Sequence, residues 1–98
     1  MIKSTYNHGF QLTFENGLTI SVQFGSGNYC DRCSFNLVFD SEMQTNIVKS
    51  ENAEIAIWDQ NNNWFNFGND TVKGWVKPDE IADWIWKVKN ANSIKTII

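Results

Sequence analysis

The sequence predicts an α+β domain: an antiparallel sheet of four to five strands, made of an N-terminal hairpin plus a meander, packed by one C-terminal helix. Three observations carry this. Two strictly alternating stretches flank Asn16-Gly17. Short β-branched and aromatic runs recur between Asn, Asp and Gly turns. An apolar stripe of helical period follows Pro78.

The hairpin is the sharpest element. Phe10, Leu12 and Phe14 alternate with Gln11 and Thr13, and Leu18, Ile20, Val22 and Phe24 alternate with Thr19, Ser21 and Gln23. Asn16-Gly17 between them predicts a two-residue type I′ turn, because both residues accept positive φ. Gly25-Ser26-Gly27-Asn28 breaks the second strand. Phe35, Leu37 and Phe39 then mark a short strand, and residues 40–52 read mostly as loop. Residues 53–58 form a β-branched strand ending at the turn Asp59-Gln60-Asn61-Asn62-Asn63. An aromatic strand follows over 64–67, Gly68-Asn69-Asp70 turns the chain, and 72–76 is the last strand.

Pro78 stands where a first helical residue should be, with Asp79 and Glu80 in the first turn. Ile81, Trp84, Ile85 and Val88 fall at i, i+3, i+4 and i+7, and Lys87 and Lys89 suit the negative end of the macrodipole. The spacing predicts a helix from about Pro78 to about Asn90. The tail from Ser93 to Ile98 then extends the helix or packs as a short strand. One helix is roughly 10 Å wide, enough for about two strands at 4.7–4.9 Å spacing. Part of the apolar sheet face is therefore expected to stay uncovered by the helix.

Composition bounds the function. Ninety-eight residues form one domain over 1–98, and 42% hydrophobic against 19% charged residues speak for a folded core rather than disorder. No apolar run approaches a membrane span or a signal-peptide core, so a soluble protein acting in a cytoplasm is expected, with no membrane partner. A net charge of −3, from eight cations and eleven anions, speaks against nucleic-acid binding by phosphate neutralisation. Thirteen Asn, and seven Lys against the single Arg32, fit an A/T-rich genome.

The chemistry-bearing motifs are weak. Cys30-Asp31-Arg32-Cys33 is a C-x-x-C, but only His8 and carboxylates could complete a zinc site within one chain. It reads as loop thiols, with a Cys₄ site shared across a two-fold axis stoichiometrically allowed. Gly25, Ser26, Gly27 and Asn28 could form an anion-accepting backbone nest, although neither a dinucleotide fingerprint nor a Walker loop is present. His8 lacks a nucleophile motif, and Glu54 and Asp59, five apart on a strand, point to opposite faces. The reading is no catalytic residues, no metal, no cofactor and no enzyme.

The aromatics carry the functional signal. Five Trp and seven Phe are heavy usage for this length. Trp86 lies roughly 140° from Ile81 around the helix and points away from its stripe. Trp64 and Trp75 are paired with the neighbours Phe65 and Val76, so both sheet faces are expected to carry large apolar groups. Trp86, Trp64 and Trp75 are therefore the candidate partner-binding residues, and a homodimer is expected. Two other readings remain open. In one, a nucleotide-like ligand is bound or sequestered, its phosphate on Gly25–Asn28. In the other, the chain is a structural or assembly component.

The segments FENGLTISVQFGSGNYC, AEIAIWDQNNNWF and DTVKGWVKPDEIADWI together resemble a family of small, largely uncharacterised proteins encoded by tailed phages. The likeness covers roughly residues 8–90, and its motifs are structural: a turn, an aromatic strand and a Pro-started helix. It implies a phage accessory role acting on a host component. With no catalytic constellation, excess aromatics and mild acidity, the expectation is a protein-binding module that docks on and inhibits a host protein in the host cytoplasm.

Overall fold

The computed structural model describes residues 1–5, 8–25 and 49–97. Five antiparallel strands follow one another in space as they do in sequence: β1 (Ile2–Ser4), β2 (Gly9–Thr13), β3 (Thr19–Gln23), β4 (Ala53–Trp58) and β5 (Val72–Val76). Among the described residues one helix, α1 (Pro78–Asn90), packs on one face and is followed by a 3₁₀ turn, Ile94–Thr96. This is the expected α+β architecture. The short strand expected around Phe35–Phe39 lies outside the described residues, as do Cys30, Cys33, Ser26, Gly27 and Asn28.

The sheet register follows from burying one alternating set. Leu12 pairs with Ile20 and Ile20 with Ile57, while Phe10 pairs with Val22 and Val22 with Ile55. Leu18, Ile20, Ile55, Ile57, Val76 and Val88 are at most 1% exposed, and full burial of such a side chain stabilises by about 1.5–3 kcal/mol. The helix stripe closes this core as its period requires: Val88 is buried, and Ile81, Trp84 and Ile85 pack against it. The tail neither extends the helix nor adds a strand. Its 3₁₀ turn is held by a capping box between Ser93 and Thr96, and it drops Ile97 into the core.

The hairpin exists, but its turn differs from expectation. Gly17 takes φ 86°, whereas Asn16 is absent from the positive-φ residues. Gly17 N donates to Phe14 O and Phe14 N to Leu18 O, which makes a three-residue loop with glycine at the left-handed position. The cause is register. Facing residues in β2 and β3 have numbers that sum to 32, so apolar even positions meet apolar even positions. A two-residue loop at 16–17 would shift the sum by one and set every apolar side chain opposite a polar one.

Two further elements depart from expectation. Residues 64–67 do not form a strand: Trp64 makes a single bridge to Trp58, and Phe65 N donates to Ile57 O. Asn66 Oδ1 then accepts Gly68 N at 2.7 Å and turns the chain before a ladder can extend. Conversely, β1 was unmarked in the sequence. It is three residues long and exposed, held to β2 by its backbone and by the Met1 amine donating to Thr13 O at 2.9 Å.

Candidate functional site

The second face of the sheet is polar across β1, β2 and β3 and carries large apolar groups on its β4–β5 side, so the expectation of large apolar groups on both faces holds there only. Lys3, Gln11, Ser21, Ala56 and Val72 form one cross-strand row, and Thr13, Thr19 and Trp58 form the next. Thr13 Oγ1 and Thr19 Oγ1 lie 2.8 Å apart, Gln23 Nε2 donates to Ser21 Oγ, and Thr5 Oγ1 donates to Gln23 Oε1. The reason was visible in the alternation itself, which assigns the Thr, Ser and Gln residues to one side. The large apolar groups there include Trp58 and Trp64, whose rings lie 4.8 Å apart, tilted by 32°.

Trp64 is 46% exposed, Trp75 56% and Trp86 65%. All three candidate contact residues thus reach solvent from three different elements. Trp86 stands on the outer side of α1, and the tail does not cover it, because Ile94 and Ile97 pack on the core instead. Trp84, two residues earlier, faces inward and makes edge contacts with Phe65 and Phe67 at ring separations of 5.7 and 5.1 Å. Lys87 Nζ lies 4.7 Å from the centre of its ring.

Trp75 occupies an unusual backbone. Ala53 pairs with Val76 and Ile55 with Lys73, so Glu54 alone opposes both Gly74 and Trp75. That is a β-bulge, a device that re-aims a side chain. Trp75 takes φ 52° although Gly74 is its immediate neighbour. A bulky side chain in the left-handed region costs on the order of 1–3 kcal/mol, and a glycine would adopt it without that cost. Sequence reasoning marked Trp75 for its side chain only, since nothing in Lys73-Gly74-Trp75-Val76 says which residue takes the positive φ.

Two concave surfaces flank these residues. A groove of about 460 Å³ runs between the first half of α1 and the sheet, lined by Phe10, Val22, Phe24, Ala53, Ile81 and Ile85 among others. It lies on the part of the apolar face that helix width leaves outside α1. A second hollow, about 510 Å³, is formed by Asn63, Trp64, Phe65, Asn66, Ile94 and Lys95. Its loop is fixed by Asp59, whose carboxylate accepts Asn61 N and Asn63 N at 2.9 Å and Asn63 Nδ2 at 3.0 Å. The side-chain and backbone hydrogen bonds from Asn63 hold the Asp59 carboxyl below its usual pKa.

Of the remaining sequence candidates, His8 is half-buried and its ring fills the space a side chain at residue 25 would need, so Gly25 is required by close approach. Glu54 and Asp59 belong to the strand and to the turn after it, as expected. Among the described residues no group of three His, Cys, Asp or Glu side chains could hold a metal ion, and no helix is long and apolar enough to cross a membrane. No protein-family model, curated protein or solved structure matches the chain.

Proposed function

We propose that the chain is a protein-binding module that engages its partner through exposed tryptophans. The observation that carries this is Trp75: an indole 56% exposed on a strained bulge, in a backbone that a glycine would take without strain. Strain of this kind persists when surrounding structure enforces it, and it concentrates at binding sites. Trp86 and Trp64 add two more large, rigid contact groups, the residue type most enriched among binding hot spots. On the phage resemblance, the partner is a host protein that the module inhibits, and the mild negative charge suits a basic surface. The chain meets that partner in the host cytoplasm, as a homodimer.

The test is affinity capture from bacterial lysate with the wild-type chain, Trp75→Asn and Trp86→Glu as parallel baits. Asn tolerates the left-handed region, so Trp75→Asn keeps the bulge. A protein retained by wild type and lost from both variants supports the proposal. Equal retention by all three baits would end it.

The hollow at Trp64 favours a second reading, a small-ligand binder. Trp64 offers a ring face backed by Trp58, Lys95 offers a cation, and Asn63 and Asn66 line the hollow with amides partly engaged by Asp59 and Gly68 N. A planar nucleotide-like anion fits that set. The phosphate site expected at Gly25–Asn28 has only Gly25 among the described residues, and Gly25 is buried against His8. Saturable quenching of tryptophan fluorescence by uridine or adenosine monophosphate, lost in Trp64→Ala, would move the assignment to this reading.

A further inference from the structure

Asn16-Gly17 is the only Asn-Gly pair in the sequence. Its side chain is used far from the turn. Asn16 Nδ2 donates to Val88 O at 2.8 Å and to Ala91 O at 2.9 Å, with Lys89 O at 3.4 Å. These carbonyls belong to the last turn of α1 and its C-cap Ala91, where helical donors run out; Val88 O also accepts Ala91 N at 3.3 Å. Asn16 Oδ1 accepts Leu18 N at 3.0 Å, closing an Asx turn. One amide therefore shapes the hairpin loop and clamps the helix C-terminus across more than seventy residues of chain.

We propose that Asn16 is a deamidation site that the docked helix protects, and that its conversion unlocks the end of α1. In the reaction the Gly17 backbone nitrogen attacks Asn16 Cγ and forms the succinimide C–N bond. The side-chain nitrogen leaves as ammonia and carries off the Gly17 proton. Water then opens the ring, and its oxygen ends in the new carboxylate of aspartate or isoaspartate. Both nitrogens the reaction needs are engaged in the folded chain. The leaving nitrogen is held by two carbonyls, and the attacking Gly17 N–H is donated to Phe14 O at 3.0 Å. Attack requires the helix end to lift off first.

The product reverses the clamp. A carboxylate has no proton to donate, and it would face three carbonyl oxygens at the negative end of the helix dipole. The contacts that seat Val88, Ala91 and the following tail then lose their tie to the hairpin.

The experiment incubates wild-type chain at mildly alkaline pH, folded or in denaturing urea, and follows residue 16 by peptide mapping and mass spectrometry. The expected result is conversion at least about tenfold slower in the folded chain, since reaction must await local opening. Hydrogen exchange at the amides of residues 88–91 should then be faster in the converted chain. Equal conversion rates would overturn the protection, unchanged exchange would overturn the unlocking, and no conversion in urea would remove the site altogether. Asn16→Asp should reproduce the faster exchange, and the rate comparison needs no variant to fold.

Discussion

Replacing Asn16 by glycine separates two accounts of the hairpin turn. In a two-residue type I′ turn, glycine is as good as asparagine at the first position, and the change would be close to neutral. In this fold Asn16 has no positive φ, and its amide makes two short bonds to the end of α1. Each bond contributes about 1 kcal/mol net, and glycine adds roughly 0.5–1 kcal/mol of backbone entropy cost. The expected loss is about 2–3 kcal/mol. For a domain of this size each kcal/mol moves the melting temperature by roughly 4–8 °C, so circular dichroism should show Asn16→Gly melting about 10 °C or more below wild type. Hydrogen exchange should localise the loosening to the last turn of α1. A variant that melts with wild type would refute the clamp and restore the two-residue turn.

Further changes test other contacts. Gly17→Val should destabilise by about 1–2 kcal/mol in urea titration, since Gly17 sits at φ 86° and the new Cβ meets the Gln60 side chain; Gly17→Asn should be far milder. Trp84→Ala should cost about 2–3 kcal/mol, somewhat below a fully buried tryptophan because Trp84 is half-buried over Phe65 and Phe67. An unchanged urea midpoint would show that these rings do not anchor the helix. Asp59 gives a pH signature. Its folded pKa is lowered from 3.8, so its contribution is present above that value and fades as pH falls through the folded pKa. Melting scans should therefore show wild type more stable than Asp59→Asn near neutrality, with the gap closing in acid. A gap independent of pH would contradict the carboxylate's role.

The legible parts of the fold were those where one physical demand writes the pattern. Alternation in 10–24 gave the hairpin and its polar second face, and Pro78 with the Ile81–Val88 stripe gave α1 and the outward Trp86. The turn was misread because Asn-Gly has a local explanation, while Asn16 serves a distant one at Val88 and Ala91. The even register of the apolar positions already excluded a two-residue loop. The stretch 64–67 looked like a strand because Phe65 and Phe67 share a face. They turn that face to Trp84 without a second ladder. β1 could not be read at all, since it buries no side chain and exists through backbone pairing. For the candidate site, exposure of Trp64, Trp75 and Trp86 followed from pattern, but the positive φ of Trp75 came from the bulge opposite Glu54.

The central claim, that exposed indoles form the contact surface, is tested most directly by ¹⁹F NMR of the chain labelled with fluorotryptophan. Each tryptophan is assigned by substitution and followed through a concentration series and through titration with the captured partner. The account predicts that Trp75 and Trp86 resonances move together as a complex forms, with Trp64 shifting in the same titration, while Trp84 stays in place. A complex that forms with Trp75 and Trp86 unmoved would contradict it.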